Sequence, residues 1–162
     1  MADETAKDYV IKACELVGLS ANECRRCVEI VATGGAVTVN EAKLRAATTL
    51  VVVRSGAEIV GVGTIKGIRA KYASDIADRK KSGYAFPPET PELGYVAVDP
   101  EHQGKGLAHR IVSQLLRDNP GSLFATTDHE AMKKTLATSG FERKGREWLG
   151  RRNEMLSLWI KR

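Results

Sequence analysis

One segment of the 162-residue chain has residue types and spacing suited to binding a charged ligand: Asp99-Pro100-Glu101-His102-Gln103-Gly104-Lys105-Gly106-Leu107-Ala108, placed between an apolar run and a helix-like pattern. Glycines where a strand turns into a helix let the backbone pass close to a ligand. The first free N–H groups of the helix point outward there with the positive end of its dipole. Such a turn binds an anion and suits a pyrophosphate, and Lys105 adds a mobile positive charge. Two other phosphate motifs do not fit. A Walker loop needs four residues between its glycine and a Gly-Lys-Ser/Thr, and a dinucleotide fingerprint needs three glycines after the first strand of its unit. The plain alternative is a tight turn with no ligand.

A second spacing, Cys24-Arg25-Arg26-Cys27, reads as half a metal site or a redox pair. No second pair accompanies it. Cys24, Cys27, Val28 and Val31 fall at i, i+3, i+4 and i+7, the inner stripe of a helix opened by the capping box Ser20-Ala-Asn-Glu23. Cysteine packs as a small hydrophobe, so both are expected in the core. With Cys14 the thiols number three, which argues against a disulfide framework and agrees with a reducing compartment.

To hold the glycine turn, a strand must precede it and a helix must follow. Residues 93–98 supply an apolar strand closed by Asp99-Pro100. Leu107, Ile111, Val112, Leu115 and Leu116 mark one face of a helix that Asn119-Pro120-Gly121 stops. Upstream, a first helix is expected over 7–17, with Val10, Cys14 and Val17 on one side and Gly18 at its end. A second runs from Ser20 to the pair Gly34-Gly35. Residues 38–47 are polar and give no firm assignment beyond a helical turn. Strands are expected at 48–54 and 58–66, joined as a hairpin by Ser55-Gly56. The 67–91 connection, with a helix-capable piece at 70–80 and Pro87, Pro88 and Pro91, is far longer than an ordinary hairpin loop. A strand at 123–126, a helix at 130–138 and strands at 141–148 and 154–160 complete the chain. This order predicts an α+β (α/β) fold, a single mixed, mostly antiparallel sheet flanked by helices, in one domain spanning 1–162.

Composition narrows the class. The chain is 43% hydrophobic and 28% charged, inside the globular range, which excludes disordered, collagenous and disulfide-scaffold classes. Its net charge of +5 invites nucleic acid, a phosphate-bearing ligand or an acidic partner. The charge is localised: residues 141–162 carry net +4 and residues 69–81 net +3. Aromatic residues are only 6%, and the tail has no stacking pattern beyond Trp148 and Trp159, which counts against nucleic acid. No window approaches the ~18 apolar residues of a membrane span, and the polar start is unlike a signal peptide, so a cytoplasmic protein without membrane attachment is expected.

The run Gln103-x-x-Gly106-x-Ala108 after Val96-Ala97-Val98-Asp99-Pro100 resembles the Gln/Arg-x-x-Gly-x-Gly/Ala acyl-CoA signature of the GNAT superfamily of N-acetyltransferases. The similarity covers about residues 50–160, and the departures are an unclear first strand, where the chain reads as helix, and the long 67–91 connection. The resemblance implies the acyl-CoA N-acyltransferase fold, acetyl-CoA as co-substrate and no metal. The backbone of Val96, Ala97 and Val98 would pair with the pantetheine arm like an added strand. Gln103, Gly104, Lys105, Gly106, Leu107 and Ala108 would hold the pyrophosphate. Acetyl transfer to a primary amine would be direct, in a ternary complex, since no cysteine lies near the acyl pocket to carry a covalent intermediate.

Acetyl transfer needs a neutral amine and therefore a base, acting directly or through water. By the resemblance Glu92 stands where many family members place that base. Partial burial would raise its pKa and suit it to the task; the alternative is a solvated charge at a strand end. Family members often carry an Asn and, seven residues later, a Tyr before a Gly-Phe. Counting back from Gly140-Phe141 puts His129 and Leu136 in those places. Protonation of the thiolate then falls to water or to a neighbour such as Ser139, Thr135 or His129, or the protein binds acyl-CoA without fast turnover. His129, a candidate cofactor contact, also stands where it would cap the helix beginning at Glu130. His102 and His109 are expected to be exposed beside the turn.

The acceptor is expected to be a small-molecule, peptide or aminoacyl-tRNA amine. Asp75, Asp78 and Glu89 in the connection would either attract a cationic amine or form a solvated face. The alternative function is an acyl-CoA-binding, RNA-binding or acidic-protein-binding module using the basic tail, with Arg151 and Arg152, and the basic 69–81 segment. A homodimer is compatible with either reading.

Overall fold

Ser20 Oγ accepts a hydrogen bond from the Glu23 backbone N–H, and the Glu23 carboxylate accepts one from the Ser20 N–H, both at 3.1 Å. The expected capping box thus opens a helix at its expected place. A computed structural model describes residues 8–34 and 39–162. Along the chain lie β1 (Tyr9–Cys14), α1 (Ala21–Thr33), α2 (Glu41–Arg45), β2 (Ala47–Ser55), β3 (Glu58–Lys66), α3 (Ala70–Ala77), β4 (Glu92–Val98), α4 (Leu107–Asp118), β5 (Leu123–Thr127), α5 (Glu130–Thr138), β6 (Glu142–Leu149) and β7 (Met155–Lys161). The strands form one mixed sheet in the order β1-β2-β3-β4-β5-β7-β6. The β1–β2, β5–β7 and β6–β7 pairs are antiparallel, and β4 meets β5 in parallel with Glu92 opposite Phe124. The expected fold class, a mixed sheet flanked by helices, is the one observed.

The helix expected over 7–17 is a correction, although Lys7 itself lies outside the described residues. Residues 9–14 form a strand paired with β2 from Tyr9 opposite Ser55 to Cys14 opposite Leu50. Val10 and Val17, two of the three residues expected on the inner face of a helix, are 50% and 78% exposed. The aromatic and β-branched run Tyr9-Val10-Ile11 suits a strand, and the first strand that the sequence leaves unclear is this one. In the expected stop after the second helix, Gly34 caps α1, while Gly35 lies outside the described residues, as does Thr38.

The chain comprises two compact units, one ending at Ile65 and resuming over Tyr95–Asn119, the other made of Lys66–Gly94 and Pro120–Arg162. In the first, Leu16, Cys24, Cys27, Ile30 and Val31 pack with Leu50, Val52, Ile59 and Val62, and Tyr95 and Ala97 of β4 lie against them. Both cysteines of the Cys24–Cys27 pair are buried, as their spacing predicts, and burial pushes the Cys27 thiol up to about 12.

In the second unit Ala73, Ile76, Phe124, Trp148, Leu158 and Ile160 form the core, with Tyr72, Tyr84, Phe86 and Leu156 at its margin. The helix in the long connection is shorter than expected, ending at Ala77. Beyond it the chain is fastened to β6. The Ser82 carbonyl accepts from the Arg146 N–H at 3.0 Å, and the Lys81 carbonyl accepts from Arg146 Nε at 3.1 Å. This docking uses a bulge in β6: the β6–β7 register shifts between Lys144 and Trp148, and Gly145 takes φ +70°. A Cβ at Gly145 would overlap the Ser82 carbonyl oxygen. Asp75 and Glu89 are exposed and Asp78 accepts from the Lys80 N–H, which favours the solvated-face reading of the connection's acids.

Candidate active site

The glycine turn is assembled from its own chain and from α1. Asp99 Oδ1 accepts from the Glu101 N–H at 2.8 Å, and Asp99 Oδ2 pairs with the Arg26 guanidinium. These partners, the Glu101 N–H foremost, hold the Asp99 carboxyl below the usual carboxylate range. The Asp99 N–H donates to the Val60 carbonyl at 2.8 Å, tying the end of β4 to β3. After a single 3-10 turn over Pro100–His102, Gly104 and Gly106 adopt φ +79° and +73°. A Cβ at either would meet nothing within 4 Å, so the demand for glycine there is one of backbone conformation. Gly106 is the N-cap of α4 and supplies no capping side chain, which leaves the N–H groups of the first turn open to a ligand.

Gln103, Gly104, Lys105 and Gly106 are exposed, Ala108 is half-buried, and Leu107 is buried as the anchor of α4. Val96, Ala97 and Val98 are half-buried. Tyr95 has φ +51°, a left-handed conformation inside a strand. No glycine signals it in the sequence. His102 departs from expectation: it is half-buried, its Nδ1 lies 2.8 Å from the Tyr9 hydroxyl, and the two rings meet edge to face. His109 is exposed as expected.

Glu92 is not a solvated strand end. Its side chain is 7% exposed, with Oε2 at 3.5 Å from Lys66 Nζ and Oε1 at 3.5 Å from an Arg69 guanidinium nitrogen. Burial pushes the carboxyl above its ordinary range, while Lys66 and Arg69 pull it back. Neither cation was expected at this position, 26 and 23 residues away along the chain. The one local signal is Gly94, two residues after Glu92, which marks a close approach from outside the strand.

The proton donor that would replace a phenol has no strong claimant. Leu136 is fully buried in the core. Thr135 donates its hydroxyl to the Ala131 carbonyl at 3.2 Å, while Ser139 Oγ is buried without a hydrogen-bond partner. His129 occupies the N-cap of α5 but does not cap it through its side chain, which is half exposed with Nε2 at 3.5 Å from Asp128 Oδ1.

In the basic tail, Arg143 pairs with Glu147, Lys144 with Glu142 and Arg152 with Glu154, at 3.2, 3.0 and 3.5 Å, and both tryptophans are buried. That weakens the tail as a nucleic-acid surface. Among the described residues no helix is long and apolar enough to cross a membrane, and no three His, Cys, Asp or Glu cluster as a metal site.

A family model described as the Acetyltransferase (GNAT) family matches residues 22–133. No curated protein sequence matches the chain. Similar solved structures include yncA of Salmonella typhimurium with its cofactor acetyl-CoA, at TM-score 0.67 and 18% identity, over 95% of this chain and 93% of that one. The NatC complex bound to Gag peptide and CoA reaches TM-score 0.72 at 11% identity, over 96% and 98%. The ribosomal-protein-S18-alanine N-acetyltransferase of Escherichia coli gives 0.63 at 11%, over 95% and 93%. At such identities the likeness is one of fold.

Proposed function

The chain belongs to the GNAT acetyltransferase family, and from that premise we propose that it is an acetyl-CoA-dependent N-acetyltransferase, moving an acetyl group to a primary amine in a ternary complex. The observation that carries the proposal is the uncapped N-terminus of α4 behind two left-handed glycines, at the end of the strand that begins with the buried carboxylate of Glu92.

In this reading the backbone of residues 103–108 holds the pyrophosphate, with the α4 dipole and Lys105 supplying positive charge. The backbone of Val96, Ala97 and Val98 binds the pantetheine amides as an added strand. When bound, acetyl-CoA supplies an activated acyl group and a thiolate leaving group. Glu92 takes the proton from the acceptor amine. Its carboxylate is buried, and it takes that proton either directly or through a water. With Leu136 in the core and no phenol in the family's position, the thiolate is protonated from solvent. The neighbours named for a Gag peptide and for ribosomal protein S18 make a peptide or protein amine one acceptor class to test beside small amines and aminoacyl-tRNA.

Incubation with acetyl-CoA and a panel of amines, peptides and charged tRNA, followed by mass spectrometry of the products, identifies the acceptor. With that acceptor, Glu92→Gln is expected to lower kcat by about 10²- to 10⁴-fold with little change in KM. An unchanged pH–rate profile in this variant would clear Glu92 of the role.

A further inference from the structure

Lys66 is the last residue of β3, and its side chain reaches Glu92 by crossing β4 at Gly94. A Cβ placed on Gly94 would stand 2.7 Å from Lys66 Cε and 3.2 Å from its Nζ. The lysine stem therefore lies across the glycine Cα, and any larger residue would push it aside. The ammonium arrives 3.5 Å from Glu92 Oε2, with only 14% of the lysine side chain exposed.

Arg69 contacts the other carboxylate oxygen at the same distance, but its side chain is 53% exposed and its guanidinium rests 4.3 Å from the centre of the Tyr72 ring. Lys66 from β3 and Arg69 from the start of α3 are the charged groups acting on Glu92, while the residue opposite it on β5 is Phe124. The two cations are unequal. A buried charge acts through a low dielectric, whereas water screens an exposed one.

We infer that Lys66 is the positioning residue for Glu92, fixing its carboxylate in place along a passage that Gly94 keeps open. The inference rests on the reading of Glu92 as the base. Burial alone favours a protonated Glu92, which could not accept a proton. The ammonium of Lys66 opposes that tendency more than Arg69 does, and it leaves the second carboxylate oxygen oriented by a weaker, solvated partner.

Carbon-13 NMR of the glutamate side-chain carboxyls titrates Glu92 directly, its resonance being the one lost in Glu92→Gln. In Lys66→Met, which keeps the stem and removes the charge, the midpoint is expected to rise by about one to three pH units. Gly94→Ala, which keeps the lysine but displaces its stem, is expected to move the midpoint the same way by less. The double variant should go no further than Lys66→Met alone. With the acceptor in hand, the acid limb of the kcat/KM profile should follow the NMR midpoint in each variant. A midpoint unmoved in Lys66→Met overturns the role of Lys66 and leaves Glu92 as base. If Glu92→Gln retains full rate and the wild-type pH profile, the base reading falls and the role given to Lys66 falls with it.

Discussion

Gln103 folds its side-chain amide back onto the strand it has just left, donating through Nε2 to the Val98 carbonyl at 3.0 Å. The side chain named by the family signature thus closes the turn, and the exposed backbone beyond it is what remains for a ligand. Gln103→Ala should loosen the turn, lowering stability by no more than about 0.5–1.5 kcal/mol, and so weaken acetyl-CoA binding by at most about tenfold. Calorimetric titration of the variant checks this; a loss of a hundredfold or more would mean that the side chain itself touches the ligand.

Gly145 and Ser82 make a second close pair. Gly145→Ala places a Cβ onto the Ser82 carbonyl and forces an L-residue to φ +70°. The conformational part alone costs about 1–2 kcal/mol. Thermal unfolding should show a Tm lowered by several degrees, whereas Gly121→Ala, where a Cβ meets nothing within 4 Å, should leave Tm close to wild type.

The raised pKa of Glu92 also fixes the sign of a stability effect. A carboxyl whose folded pKa exceeds its unfolded value binds a proton more tightly in the native state. Its contribution is fully present below about pH 4.5, the unfolded value, and is lost as pH rises through the folded pKa. The stability of the wild type relative to Glu92→Gln should therefore fall as pH increases above 4.5. Denaturant titrations at a series of pH values measure it, and a difference that grows with pH would show that the cations outweigh burial.

Cys27, with its thiol pushed up to about 12, presents a thiolate fraction of about one in ten thousand at pH 8 and is fully buried. Iodoacetamide should label it in the native protein only at the rate of unfolding, and at once in denaturant. Rapid native labelling, read by peptide mass spectrometry, would contradict the core assignment.

What the sequence disclosed follows from which signals are local. The limits of β3 and of α5 stand where the sequence places them, at residues 58–66 and 130–138. The capping box and the cysteine stripe of α1 need only contacts within one helix. The β1 segment reads as a helix because an edge strand bonded to β2 alone has half-exposed faces, and Val10, Cys14 and Val17 fall at helical intervals. At the site, the glycine turn is chain-local and legible. The left-handed Tyr95 and the Lys66–Glu92 pair are set by tertiary packing, between residues whose types predict neither. The buried Leu136 was legible as a departure from the family pattern, and the structure supplies its reason: the side chain serves the core.

In the proposed function the turn at residues 103–108 binds the pyrophosphate of acetyl-CoA. Gly106→Glu would set a carboxylate at the N-terminus of α4, in a backbone conformation that favours glycine. Isothermal titration calorimetry with acetyl-CoA should show saturable binding to the wild type and none to this variant, with both proteins giving the same circular dichroism spectrum. A wild type that does not bind acetyl-CoA, or a variant that binds it equally well, would rule out this turn as the pyrophosphate site.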